Sequence, residues 1–344
     1  MRASTREDAA VRSKPESPGS PPTPDPSPQR GGERLSQRGF VLLVVLSVLG
    51  LLAVVAASFA QVARTHMKLA AVASEGAKAE ALADAGVHIV ILDLVAAGSA
   101  EPADRRFALD ATPLACSIGE DGAVLTLAVR DEAGKVDLNI ATPALLRALV
   151  LGLGSSGRGA AVDAILDYRD QDDDRRINGA ERPEYLAAGR LHGPRNGPFL
   201  AVEELSSVLG VTQADADHLR PYVTIHSGLA AIDPSVASEA LIDILVRGLQ
   251  EAGPSLADGG LGAGDLSAMA ERGARLPPQL RAASTRRAFA VRAEARTASG
   301  AVFVREAIVE LVAPGSPAFA LRRWYRGSAA SAGPPPDAAA LPRC

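Results

Sequence analysis

The chain has 344 residues, with 36 Lys and Arg against 40 Asp and Glu and a formal net charge of -4. That balance gives no polybasic surface for nucleic acid, and two cysteines exclude a disulfide-rich scaffold. Aromatic residues make up only 3%, so the core of two modest domains has to come from Ala, Leu and Val.

Residues 1–39 read as a disordered leader, because the first thirty carry seven prolines and no periodic apolar face. Arg34 and Arg38 precede an apolar run from Phe40 to Ala60 that holds no ionisable side chain. As a helix that run reaches about 31 Å, enough to cross a hydrocarbon core. Residues 40–60 are therefore expected to be a transmembrane helix. From Gln61 to Gly98 there is no proline, and an apolar stripe of Leu69, Val72, Ala73, Leu82, Ile89 and Leu92 predicts that the helix continues as an amphipathic one. Residues 61–140 then hold that helix and a first strand, Ala123–Arg130, closed by a turn at Gly134. Thr142 as N-cap and Pro143 at the first helical position open another helix. Residues 141–227 form a helical region, with pieces at 159–170 and 199–210. Residues 228–326 bring a helix over 234–250, weakly patterned sequence over 251–285, and a hairpin turning at Ser299 and Gly300 with one more strand behind it. The Gly-, Ala- and Pro-rich stretch 327–344 predicts a disordered tail. Cys116 and Cys344 can pair in an oxidising compartment, but such a tail favours two free thiols.

Three readings of the apolar run stay open on the span alone. A cleaved secretory signal has a shorter apolar core, although Ser58 and Ala60 offer a weak cut site. A plain anchor with basic residues on the cytoplasmic side needs nothing more. The third is a class III signal, cut between Gly39 and Phe40 ahead of a helix that the mature protein keeps.

A second segment, "DYRDQDDDRRINGAERPEY", places oxygen-bearing side chains at positions one, three, five, nine and twelve of a loop: Asp170, Asp172, Asp174, Asn178 and Glu181. This is the spacing with which an EF-hand loop gathers calcium. Arg175 stands where that loop needs glycine and Pro183 interrupts the helix that follows, so an EF-hand proper is not expected. A calcium loop of another kind and a solvated acidic loop both remain. Two helix-hairpin-helix-like segments lie in the same region, around 151–166 and 202–219. DNA-binding hairpins grip phosphates with Lys and Arg. Between Ala161 and Arg190, however, eight acidic residues face five basic ones, so helical packing is the expected role. Scattered histidines, no glycine-framed serine and no phosphate-binding loop give no support for an enzyme.

Basic residues, then Gly39, then Phe40, then a long helix that begins membrane-soluble and ends amphipathic resemble the pilin and pseudopilin superfamily. Val44 stands five residues after the cut, where most members carry Glu. Within that superfamily the chain resembles the minor pseudopilin K family of type II secretion, whose members typically lack this Glu. Asp167, Tyr168, Asp170, Asp172, Gly179, Ala180, Glu181 and Tyr185 match the family's acidic stretch, with Tyr168 in place of Trp. Asp131, Glu132, Gly134, Lys135, Leu138 and Asn139 match its strand-to-helix turn, with Asp137 where Asn is commoner.

The resemblance covers Arg38 to about Arg326. It implies an α+β fold: a pilin-like long N-terminal helix on a small antiparallel sheet, with a large, mostly helical, SAM-like insertion. It also implies cleavage after Gly39 by prepilin peptidase, N-methylation of Phe40, and calcium on Asp170, Asp172, Asp174, Asn178 and Glu181. Minor pseudopilins I and J, the major pseudopilin and an inner-membrane assembly platform are the implied partners. The implied location is the bacterial inner membrane, single-pass, with the C-terminal domain periplasmic, and then the tip of the pseudopilus. A bitopic membrane protein with a periplasmic helix-hairpin-helix domain for DNA uptake, or a minor pilin of a type IV pilus, is the alternative.

Overall fold

The computed structural model describes residues 34–97, 106–154, 158–253, 275–312, 317–329 and 338–344. The leader over 1–33 and most of the weakly patterned stretch, 254–274, lie outside them, as do 330–337 of the expected tail. Two compact units are present, Met1–Met67 and Lys68–Cys344.

In the first unit the chain is helical from Arg34, six residues ahead of Phe40, and helix α1 runs Arg34–Ala97. Phe40, Leu43, Val44, Leu46, Leu49, Leu52 and Phe59 are all exposed. The helix has the length and composition of a membrane span.

In the second unit α1 packs on a five-stranded antiparallel sheet. Its strands are β1 Leu114–Ile118, β2 Ala123–Asp131, β5 Ala288–Arg296, β6 Val302–Leu311 and β7 Phe319–Arg326, in the order β1-β2-β5-β6-β7. The predicted stripe is corrected here in part, since Leu82 and Ile89 do pack half-buried against this core. The buried face is Ala79, Ala83, Val87, Val90, Ile91 and Leu94, while Leu69, Val72 and Leu92 are exposed. Small residues win because they let the helix backbone approach the strands: a Cβ on Gly86 would lie 2.8 Å from Leu127 Cδ2 and 3.1 Å from Ala293 Cβ. The sheet answers with alternate residues, Leu125, Leu127 and Val129 from β2 and Val291, Ala293 and Ala295 from β5. Arg305 also points to the helix, donating to Asp84 at 2.6 Å and Glu80 at 2.7 Å and lying over the Phe303 and Trp324 rings.

A second core is helical. It is built from α2 Pro143–Gly152, α3 Arg158–Arg169, α4 Arg182–Ala187, α5 Gln213–Leu219 and α6 Glu239–Ala252, with the short parallel pair β3 Val136–Asp137 and β4 Val223–Thr224 between them. Thr142 caps α2 by accepting from the Leu145 amide, and Ser238 caps α6 by accepting from Leu241. The helix expected over 199–210 is only a short 3-10 turn, Val202–Ser207. Helices α2 and α6 touch backbone to backbone: a Cβ on Gly152 would lie 1.9 Å from the Ile244 carbonyl oxygen, and one on Gly248 would lie 1.8 Å from that of Ala148.

The expectation of two free thiols is overturned. Cys116 and Cys344 form a disulfide across a sequence separation of 228 residues. Residues 342–344 lie along β1: the Ser117 amide donates to the Pro342 carbonyl at 2.8 Å and the Cys344 amide donates to the Ser117 carbonyl at 2.9 Å. Arg106 donates to the Cys344 carbonyl at 2.8 Å. A composition that promises fraying is overridden by a covalent tether and a strand partner.

Candidate functional site

The turn after β2 joins the sheet to the helical core. Asp131 accepts from the Ala133 amide at 2.9 Å and from the Ser284 hydroxyl at 2.5 Å. Glu132 accepts from Lys135 at 2.8 Å and from the Thr224 hydroxyl. Asp137 accepts from the Ser227 hydroxyl at 3.1 Å and the Gly228 amide at 2.9 Å. Asn139 donates to the Phe199 carbonyl at 3.1 Å and accepts from the Phe199 amide at 2.7 Å. Buried carboxylates are costly unless bonded, and these are bonded. Burial still pushes the Asp131 carboxyl above its ordinary range. Gly134 has no room for a side chain, since a Cβ there would sit 2.5 Å from the Val236 carbonyl oxygen.

Beyond this joint, α3 delivers the acidic loop. Arg169 at its end donates to the carbonyls of Leu138 at 2.6 Å and Ala141 at 2.7 Å, tying the helix to the turn. Asp167, on the last turn, is fully buried. It accepts from the Arg176 amide at 3.2 Å and from the Arg176 guanidinium at 2.6 Å. The same guanidinium nitrogen reaches Asp170 Oδ2 at 2.5 Å. Glu181 opens α4; its amide donates to Glu184 at 3.0 Å. Its carboxylate, in a residue only 2% exposed, has no hydrogen-bond partner on either oxygen. Burial first, and then Asp167, Asp170, Asp173 and Asp172, push that carboxyl up to about 7. Two further buried oxygens are unpartnered, Asp170 Oδ1 and Asn196 Oδ1. Asn196 holds the loop from the other side, donating to the Asp172 carbonyl at 3.2 Å and to Asp173 at 2.8 Å.

Of the five residues read from loop spacing, Asp170, Asp172 and Glu181 are brought into one field. Asn178 is turned to Asp163, which accepts from its amide at 3.2 Å and its side chain at 3.1 Å. Asp172 accepts from the Asp174 amide at 3.0 Å, an Asx turn. Asp167 and Asn196 escape a count that starts at Asp170: one precedes the loop and the other arrives from 24 residues beyond Asp172. Four unpartnered buried oxygens on hard donors suit a calcium-type ion. The arrangement is drawn onto Arg176, however, and among the described residues no group of three or more His, Cys, Asp or Glu is set out to hold a metal. Gly39 and Phe40 lie in the opening turns of α1, with Phe40 exposed, and Val44 lies one turn further on.

Residues 126–228 match the family described as Type II secretion system (T2SS), protein K. The matched stretch opens in β2 and takes in the joint, the acidic loop and the Asn196 segment. It ends at Gly228, whose amide binds Asp137. A solved structure, the GspK-GspI-GspJ complex from the enterotoxigenic Escherichia coli Type 2 Secretion System, holds a chain 15% identical to this one. The alignment covers 77% of this chain and 99% of that one, with a TM-score of 0.46. No curated protein matches the chain.

Proposed function

We propose that the protein is a minor pseudopilin of type II secretion that initiates the periplasmic pseudopilus and caps its tip, in support of the export of folded proteins. The observation that carries this reading is the match to protein K at 126–228 on a chain whose long helix carries an exposed apolar run from Phe40. Prepilin peptidase cuts between Gly39 and Phe40, Phe40 is methylated, and the apolar helix serves first as an inner-membrane anchor and then as fibre core. Val44 supports a place at the start of a filament. A carboxylate at that depth is costly without a positive partner, and a first subunit has no earlier one to supply it. Minor pseudopilins I and J, the major pseudopilin and the assembly platform are the partners.

The test is Gly39→Ala in the full chain, expressed with prepilin peptidase and with its I and J partners. Blocked processing and loss of pseudopilus initiation are expected; normal processing and assembly would sink the reading.

Calcium is the proposed cation of the acidic loop. Glu181, Asp170 and Asn196 would hold it, with Asp172 beside them, and Asp170 could offer both of its oxygens only once Oδ2 is released by Arg176. When bound, the ion supplies charge neutralisation and a cross-link between the loop and the Asn196 segment. Asp170→Ala combined with Asp172→Ala is expected to lower the melting temperature more in calcium than in chelator, where only the Arg176 bridge and the Asx turn are lost. Equal loss in both conditions would mark a purely structural loop.

A further inference from the structure

The acidic loop already contains a cation. The Arg176 guanidinium bridges Asp167 at 2.6 Å and Asp170 at 2.5 Å, beside the unpartnered Glu181 carboxylate. We propose that Arg176 is an internal competitor of the metal: it holds the loop's carboxylates together when calcium is scarce, and calcium has to displace it to bind. The inference rests on the calcium reading given above and adds what sets the concentration at which the loop fills.

Three observations carry it. First, Asp170 is divided: Oδ2 is taken by Arg176, while Oδ1 is buried without a partner. A carboxylate cannot give both oxygens to a cation while one is bound to a guanidinium. Second, Arg176 is free to leave. Its side chain is 40% exposed, against 0% for that of Asp167, so its head can turn to water at small desolvation cost. Third, the loop does not depend on the guanidinium for its path. The Arg176 amide keeps its own bond to Asp167 Oδ2 at 3.2 Å. Gly179 packs against the same carboxylate so closely that a Cβ would lie 1.8 Å from Asp167 Oδ2. Arg175, the neighbouring cation, is engaged elsewhere, with Glu184 at 3.5 Å.

The experiment is calorimetric titration of calcium chloride into the full-length protein in detergent micelles, with melting curves in chelator and in calcium. Because site charge sets calcium affinity, Arg176→Gln is expected to bind calcium about tenfold more tightly than the natural chain. The same variant should melt lower in chelator, where its carboxylates repel one another, and recover in calcium. Arg176→Lys keeps the charge but not the bridge. It carries the test if the first variant does not fold, with a Kd tighter than that of the natural chain. Equal or weaker binding in the variants overturns the competitor role and leaves the calcium reading intact. Binding by neither the natural chain nor the variants overturns both. Binding by Arg176→Gln alone would show that calcium does not displace the guanidinium in the natural chain, and overturns both.

Discussion

At the scale of single residues, burial decides which charges are costly. Glu181 is buried with no partner, whereas Asp131, Glu132 and Asp137 are buried and fully bonded. Glu181→Gln removes a charge that opposes folding, so in chelator it is expected to raise stability by about 1–2 kcal/mol, and in calcium to lower it. Melting curves under the two conditions check the change of sign. His226 gives a separate, pH-dependent prediction. Burial holds its imidazole below the ordinary range, against the pull of Glu132 and Asp137. The unfolded chain therefore takes up the proton first, and the stability that neutral His226 permits is complete above about pH 6.5 and lost as pH falls below it. The natural chain should lose more melting temperature than His226→Gln between about pH 7.5 and about pH 5.5. An equal loss in both would assign the acid sensitivity to other groups.

At the scale of elements, close backbone approach rather than side-chain bulk holds the layers. Ala in place of Gly248 gains about 1 kcal/mol of helix propensity. Its Cβ would sit 1.8 Å from the Ala148 carbonyl oxygen, so α2 and α6 must part. Gly248→Ala is expected to cost about 2 kcal/mol or more in denaturant titration. Gly76→Ala, where a Cβ meets nothing within 4 Å, is expected to be neutral or stabilising. This is also where the sequence could be read and where it could not. Alternation located the hairpin of β5 and β6, and Thr142 with Pro143 located the start of α2, because strand period and cap chemistry are local. The face of α1 is legible only in part: Leu82 and Ile89 pack against the core, but bulky Leu69, Val72 and Leu92 outweigh Ala79, Ala83 and Gly86 in any apolar count. The contact itself selects for small size. In the acidic loop, Asp170 and Glu181 were visible from spacing within one segment, while Asn196 was not, since only the folded path returns it to Asp172.

For the molecule as a whole, the unforeseen feature is the bond between Cys116 and Cys344. Nothing local marks residues 342–344 as a partner of β1; the tether and the Arg106 contact are both long-range. A disulfide across so long a loop contributes about 2–4 kcal/mol. Reductant is accordingly expected to lower the melting temperature of the natural chain and to leave Cys116→Ser with Cys344→Ser unchanged. Identical melting with and without reductant in the natural chain would show that the tether carries no stability. Such a bond persists in an oxidising compartment, the setting proposed for this part of the protein.

The same tether covers part of one sheet edge. Open sheet edges are templates on which any extended chain can add a strand. Here residues 342–344 occupy the β1 edge through the Ser117 amide and carbonyl, while among the described residues no strand pairs with the outer side of β7. A neighbour that joined by extending this sheet past β1 would first have to displace residues 342–344 from the Ser117 amide and carbonyl.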